Sequence, residues 1–223
     1  MKATRSRTRW RWAMAAFVLF LLADDVRAAN DPRLDARLDP ETAGAVGQVV
    51  EKAREKGLPV DPLVARALEG ASRQVPGPRI VAAVQNLAAE LEMARESLGL
   101  GSTAAELVAG AAALAAGVRP DTLARLRAAR GTGSVVVPLV VLTDLATRRV
   151  PVETASAAVL AATRSRVRDR DLMRLRERID KDIMAGASPG AATILRTRTL
   201  IGPFQGPSGT TQPAPGRTPR SGP

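Results

Sequence analysis

The stretch "VDPLVARALEGASRQVPGPRIVAAV" (residues 60–84) contains two short signals for the start of a helix, Asp61-Pro62 and Gly77-Pro78. Aspartate and glycine favour the N-cap, and a proline after them loses no hydrogen bond because that N–H has no partner within a helix. Two further copies of this signal are Asp39-Pro40 and Ser188-Pro189. The prolines therefore predict a series of helix starts rather than interruptions of one long helix.

Apolar residues follow these starts at helical spacing. The clearest stripe alternates steps of four and three residues: Ile80, Val84, Leu87, Leu91, Ala94 and Leu98. The predicted starts lie about 17–20 residues apart, so two helices form a unit of roughly 34–40 residues, the length of a helical-hairpin repeat. Eight or nine helices are expected. The sequence predicts an all-α fold of antiparallel helical hairpins over residues 39–201, either a short irregular α-solenoid or a compact helical bundle.

The stretch "GTGSVVVPLVVLTDL" (residues 131–145) is rich in β-branched residues and could begin as a strand. Pro138 in its middle argues against a central strand, since proline cannot donate to a sheet. A helix capped by Ser134 would keep Pro138 within its first turns, where proline is tolerated. We therefore expect a helix here.

The composition removes many kinds of active site. The 223 residues include no His, no Cys and no Tyr, so there is no imidazole base, no thiolate nucleophile and no cysteine-based metal site. No phosphate-binding loop, serine nucleophile motif or calcium loop is present in the sequence. We predict a protein that is not an enzyme, with no catalytic residues, no cofactor and no bound metal.

Carboxylates offer the one remaining route to catalysis. Glu90, Glu92 and Glu96 follow one predicted helix, and the last two are neighbours on its surface. An acid/base pair would need one carboxyl with a raised pKa in a concave site. Because Arg95 lies beside these residues, a solvated outer face is the favoured interpretation.

The ends of the chain have a different composition from the helical part. Residues 1–28 combine a basic start, an apolar run at 13–23 and small residues at the end, which is the order of a signal peptide. The alternative is that this segment is retained uncleaved. Residues 29–38 are predicted to be a polar, extended linker, and residues 202–223 a disordered Gly/Pro-rich tail. The expected location of the exported chain is the periplasm or cell envelope, and the alternative is secretion into the medium.

The most distinctive polar segment is "TRSRVRDRDLMRLRERIDKD" (residues 163–182). Arg166, Arg170, Arg174 and Arg178 are four residues apart, so a helix would place them along one face. Guanidinium groups in a row can bind an anionic surface. The alternative is a solvated face neutralised by nearby acids. The pairs expected in that case are Asp171–Arg174 and Arg176–Asp180.

Two binding functions follow from these features. The leading hypothesis is an exported, non-catalytic helical scaffold that binds an envelope protein or peptide. The alternative is a basic protein that binds anionic lipid headgroups, lipopolysaccharide or a cell-wall polymer through the Arg-rich helix. Nucleic acid is not expected as a partner, because an exported protein does not meet it.

Overall fold

The computed structural model describes residues 31–203, and 76% of them are helical with no strands. This confirms the all-α prediction. The helices of the described residues are α1 (Pro32–Asp35), α2 (Pro40–Glu55), α3 (Asp61–Ser72), α4 (Gly77–Leu98), α5 (Ala104–Ala115), α6 (Pro120–Arg130), α7 (Val136–Thr147), α8 (Val152–Arg164), α9 (Asp169–Met184) and α10 (Pro189–Ile201). The predicted signal peptide lies outside the described residues, and so does the predicted tail from residue 204 onward.

The helix starts follow the capping signals closely. The Asp39 carboxylate accepts a hydrogen bond from the N–H of Thr42 at 2.9 Å, and Ser188 is the N-cap of α10. Asp61 and Gly77 differ from the prediction, because each is already the first helical residue, of α3 and α4 respectively, and Val60 is the N-cap of α3. At the other end of α2, Gly57 has a φ of +67°, a conformation that glycine adopts without steric cost. Local chemistry thus sets most of the helix boundaries.

The β-branched stretch forms helix α7, as predicted. Pro138 is buried in the first turn of α7, where its missing N–H costs no helical hydrogen bond. The Ser134 hydroxyl accepts a hydrogen bond from the N–H of Val136 at 3.2 Å. The N-cap position itself belongs to Val135.

The described residues divide into two compact units, 31–88 and 89–203, and the division falls within α4. A single helical domain over 39–201 was expected. In the first unit, α1, α2 and α3 pack against one another. The expected extended linker is wrong within the described part of 29–38, because α1 forms there and Leu34 is fully buried. Burial of one leucine among polar neighbours explains the helical turn.

The second unit consists of stacked helical hairpins in its described residues. Helices α5, α7 and α9 pack in succession as one layer, and α6, α8 and α10 do so as a second layer. Contacts of α7 with α8 and of α9 with α10 join the layers. The hairpins α5–α6, α7–α8 and α9–α10 begin at Ala104, Val136 and Asp169, which are 32 and 33 residues apart. Each helix pair packs on the next, which agrees with the predicted all-α bundle or solenoid, with a period slightly shorter than predicted.

The core of this unit contains no aromatic side chain, because residues 31–203 include no Phe, Trp or Tyr. Leucine, valine and alanine fill it, so the helices must approach closely. At Gly110 of α5, an added Cβ would lie 3.0 Å from the Cβ of Ala94, 3.1 Å from Leu98 and 3.4 Å from Leu123. Gly110 therefore marks a close contact of α5 with α4 and α6.

We predict that Gly110→Val lowers the free energy of unfolding by about 1–3 kcal/mol, because the larger side chain overfills a packed contact. Gly44→Ala in α2 is the control, since nothing lies within 4 Å of an added Cβ there. That change should raise the free energy of unfolding by about 0.5–1 kcal/mol through helix propensity. Urea denaturation measures both, and a Gly110→Val variant as stable as the wild type would contradict the close contact.

A buried carboxylate connects the first two hairpins of the second unit. Only 5% of the Glu106 side chain is exposed. Its oxygens accept hydrogen bonds from the N–H of Thr103 at 3.0 Å and of Val135 at 3.1 Å, and Arg127 Nη2 lies 2.7 Å away. The Thr103 hydroxyl accepts from the Glu106 N–H at 3.3 Å, completing a capping box that the sequence also predicts. One side chain thus fixes the ends of α5, α6 and α7.

Burial disfavours the charged form of Glu106, but the two N–H donors and Arg127 outweigh it and hold its pKa below the ordinary value. A lowered folded-state pKa gives a stabilising contribution that is fully present above the unfolded-state value of about 4.3. The contribution is lost as the pH falls through the folded-state pKa.

We therefore predict that Glu106→Gln lowers the free energy of unfolding at pH 7 by about 1–3 kcal/mol, since a charged acceptor of three groups becomes neutral. The difference from wild type should shrink as the pH falls below about 4.3. Urea denaturation between pH 7 and pH 3 measures it. Glu177→Gln, at an exposed position on α9, is the control. A deficit that does not change with pH would contradict the role assigned to the Glu106 charge.

Candidate functional site

The net charge of the described residues is concentrated in one segment. Residues 164–198 contain ten basic and five acidic side chains, while the other described residues contain fifteen of each. The segment comprises the end of α8, the loop that follows, and most of the α9–α10 hairpin. The whole excess of +5 therefore lies at the last hairpin of the described chain.

The acidic residues of α9 are mostly directed toward other helices. Three of its five acids form ion pairs with arginines of α6, α7 and α10: Asp169–Arg130, Asp180–Arg148 and Asp182–Arg196. Arg176 of α9 pairs in turn with Asp144 of α7. The Arg176–Asp180 pair expected within the helix is replaced by these contacts with α7, because both side chains face that neighbour.

The remaining cations of α9 form an exposed row that we call the cationic stripe: Arg170, Arg174, Arg178 and Lys181. Helical spacing of four, four and three residues places them on one face. Arg170 and Arg174 lie 3.9 and 3.6 Å from Asp171, so the expected Asp171–Arg174 pair is confirmed. Within residues 31–203, no ion pair involves Arg178 or Lys181. Asp171 thus pairs with part of the stripe, and the exposed Glu177 lies on the same face, three residues after Arg174 and four before Lys181.

Arg166 does not belong to this face. It follows Ser165, the C-cap of α8, and has a φ of +54° in the left-handed region. The N–H of Val167 donates to the carbonyl of Ala162 at 3.1 Å, which closes the helix end. The predicted row of four arginines is therefore three arginines on α9 continued by Lys181, a position that the sequence analysis missed although it lies three residues after Arg178.

The conformation of Arg166 gives a stability prediction. We expect Arg166→Gly to raise the free energy of unfolding by about 0.5–1 kcal/mol, because glycine removes the steric cost of a left-handed residue. Ser165→Gly is the control, since Ser165 has a φ of −76° and glycine should there lower stability by about 0.5–1 kcal/mol. Thermal and urea denaturation measure both. Loss of stability in both variants would contradict this account of the helix end.

A small notch lies between α9 and α10 beside the stripe. It has a volume of about 90 Å³. We call it the α9–α10 notch, and its lining residues are Asp171, Arg174, Leu175, Arg178, Arg196 and Leu200. Leu175 is only 3% exposed, so part of the wall is apolar. Two residues of the cationic stripe, Arg174 and Arg178, are brought together here with Arg196 from the next helix.

Arg196 is held in place by Asp182. Its Nε and Nη2 donate to the two carboxylate oxygens at 2.6 and 2.7 Å. The Arg196 hydrogen bonds keep the pKa of Asp182 below its ordinary value, and the carboxylate raises the pKa of Arg196. Both groups are charged at neutral pH, and the two-point contact fixes the guanidinium plane at the notch.

A larger cleft of about 530 Å³ lies between α6 and α8. Its walls include Leu160 and Ala161, and its rim carries charges of both signs. On that rim, Asp121 lies 3.3 Å from Arg119 and 3.0 Å from Arg125. We call it the α6–α8 cleft. It combines an apolar wall with charges of both signs.

The carboxylates considered for catalysis lie on α4, apart from these concavities. Neither Glu90 nor Glu92 lines the α9–α10 notch or the α6–α8 cleft. Within residues 31–203 there is no group of three or more acidic side chains arranged to hold a metal ion. The absence of catalytic, cofactor and metal residues stays a prediction from the sequence.

The comparisons with known proteins add no relative. No protein-family model, no curated protein and no solved structure matches this chain. In the described part of the chain, every helix is too short or too polar to cross a bilayer. The site must therefore be interpreted from its own chemistry.

Proposed function

We propose that this chain is a non-catalytic helical scaffold that binds an anionic surface of the cell envelope through the cationic stripe. The observation that carries the proposal is charge segregation: the excess of +5 in the described residues lies wholly within 164–198. Three of the five acids of α9 are paired with neighbouring helices, which leaves Asp171 and Glu177 beside the four cations of the stripe, so the surface that remains is mainly cationic. Such a surface attracts anions over about one Debye length, near 10 Å at 0.1 M salt.

The simplest competing explanation is that α9 and α10 cap the solenoid. The last repeat of a stack needs a polar outer face to stay soluble, and this hairpin is the last in the described residues. A cap requires polarity, however, and balanced charges would provide it. The rest of the described chain is balanced, with fifteen residues of each sign. The imbalance at one end therefore favours a partner of opposite charge.

Exposed apolar side chains in the same hairpin favour a lipid surface as the partner. Met184, at the end of α9, is 80% exposed, and Leu195 of α10 is 59% exposed. Cations beside apolar side chains are typical of helices that lie at a membrane interface. Each Lys or Arg near an anionic bilayer contributes about 1 kcal/mol of attraction. We assign phospholipid or lipopolysaccharide headgroups as the anionic surface.

The proposed location rests on the sequence of residues 1–28. The order of basic, apolar and small residues there supports export to the periplasm or cell envelope. Anionic headgroups are abundant in that compartment, and nucleic acid is not. The location and the chemistry of the stripe thus point to the same class of partner.

A second candidate partner is an envelope protein or peptide, which is the partner in the leading hypothesis drawn from the sequence. The α6–α8 cleft favours it, since its volume of about 530 Å³ can accept several side chains. Its mixed charges, from Asp121, Arg125 and Arg164 among others, suit a peptide better than a uniformly anionic surface. This cleft and the cationic stripe are separate surfaces, so the two candidates can be tested independently.

The test is sedimentation of the full chain with vesicles of phosphatidylcholine, with or without phosphatidylglycerol. We predict binding to the anionic vesicles alone at about 0.1 M salt, and its loss at about 1 M salt. Arg170→Glu/Lys181→Glu should weaken binding about tenfold or more, because two attractive charges become repulsive. Every variant carries the same apolar segment at 13–23, so a difference between variants reports on the stripe.

The matched control is Lys52→Glu/Arg79→Glu, which changes the net charge equally at two exposed positions outside 164–198. It should retain most of the binding. Equal weakening by both double variants would show an effect of net charge alone and would contradict the proposed surface. Circular dichroism of each variant checks that the helices are intact.

A further inference from the structure

We infer that the α9–α10 notch binds a single phosphate group, held by Arg174, Arg178 and Arg196. This inference deepens the proposed function and rests on it, since it assigns the chemical group that the basic surface recognises. The cationic stripe supplies long-range attraction to any anion. The notch adds a site of defined size and donor geometry.

The size of the notch selects a small group. Its volume of about 90 Å³ is several times the roughly 10–15 Å³ that one water molecule requires. A phosphate, with five heavy atoms, fits in that space, which is much smaller than the α6–α8 cleft of about 530 Å³. The apolar side chains of Leu175 and Leu200 form part of the wall and limit the access of water. Charge interactions are stronger where water is excluded.

The charge of the notch suits a phosphate. Three arginines and one carboxylate, Asp171, line it. Asp182 pairs with Arg196, and Arg168 pairs with Asp171, from outside the lining, so the excess with these partners included is two positive charges. A phosphate monoester carries about −1.5 to −2 at pH 7. Asp171 accepts a hydrogen bond from Arg168 Nε at 3.1 Å, so its charge is partly compensated from outside the notch. A phosphate that entered would meet a net positive environment.

The three arginines of the notch also have guanidinium N–H groups that could donate hydrogen bonds to a bound anion. Arg178 has no ion pair among the described residues, and Arg174 is 3.6 Å from Asp171 without a hydrogen bond. Arg196 uses Nε and Nη2 on Asp182, so its Nη1 is not part of that contact. Because Asp182 already fixes the plane of Arg196, little side-chain entropy is lost when an anion binds. Planar guanidinium groups with several donors are well suited to phosphate oxygens.

The first experiment is isothermal titration calorimetry of the full chain with inorganic phosphate at constant ionic strength. We expect saturable binding at one site. Arg178→Gln and Arg196→Gln should each weaken it about tenfold, since each removes a charged hydrogen-bond donor. Arg79→Gln is the matched control, because it makes the same change at an exposed position outside the notch and the cationic stripe and should alter binding less than about twofold.

One variant in this set should lose phosphate binding without any effect on folding. Arg178 forms no ion pair with a described residue, so Arg178→Gln should leave the helices intact even if Arg196→Gln does not. Arg196→Lys should recover only part of the binding, since an ammonium group cannot present the planar fork. Equal weakening by Arg79→Gln and Arg178→Gln would overturn the notch as the site.

The source of the phosphate is separated by competition. If inorganic phosphate displaces the chain from phosphatidylglycerol vesicles at constant ionic strength, the occupant of the notch is a headgroup phosphate. If phosphate binds in the notch but does not displace the vesicles, the occupant is a free phosphate. Acetate serves as a carboxylate probe, and stronger binding of acetate than of phosphate would overturn the assignment.

The results also distinguish this inference from the proposed function. No saturable phosphate binding, together with vesicle binding that depends on Arg170 and Lys181, would overturn the phosphate site and leave the proposed function standing. Saturable phosphate binding in the notch would overturn the proposed function instead, if vesicle binding is the same for the wild type and for Arg170→Glu/Lys181→Glu.

Discussion

The second unit depends on the buried carboxylate of Glu106. Taking a charge out of water is costly unless it is paired and hydrogen-bonded, and Glu106 meets this requirement with donors from Thr103, Val135 and Arg127. Those three residues belong to the start of α5, the start of α7 and the end of α6. The passage from the first hairpin to the second is thereby held in one conformation. Because each hairpin of a solenoid packs mainly on its neighbour, that step also determines where the α9–α10 hairpin can be added.

The second constraint on this unit is its aliphatic core, which acts together with the buried Glu106 carboxylate. Without aromatic side chains in the described residues, burial must come from many small contacts among leucine, valine and alanine. Close approach is possible where a helix presents glycine, as Gly110 does to Ala94 and Leu98. Such a core provides few deep cavities lined by mixed chemistry. Concave surfaces arise instead between successive helices of one layer, as in the α6–α8 cleft, or within a hairpin, as in the α9–α10 notch.

The sequence predicted those features that local chemistry determines. Asp39 capping α2, the Thr103–Glu106 capping box and the helical state of the Pro138 stretch all follow from residues a few positions apart. Arg166 could not be placed in this way, because the end of α8 lacks the glycine that marks other helix ends and Arg166 itself adopts the left-handed conformation. The role of Arg196 and the inward pairing of the α9 acids depend on α10 and α7, which helical spacing within α9 does not specify.

The net positive charge on the exposed face of α9 is a consequence of these ion pairs between helices. Considered alone, α9 has as many acidic as basic residues and would be judged a neutral, solvated helix. Packing removes that balance from the surface, since Asp169, Asp180 and Asp182 each face an arginine of another helix. Their contribution is to hold the hairpin in place, and the cations left on the outer face have too few partners of opposite charge. The same ion pairs that stabilise the last hairpin therefore leave an excess of cations on its outer face, and the proposed binding of an anion rests on that excess.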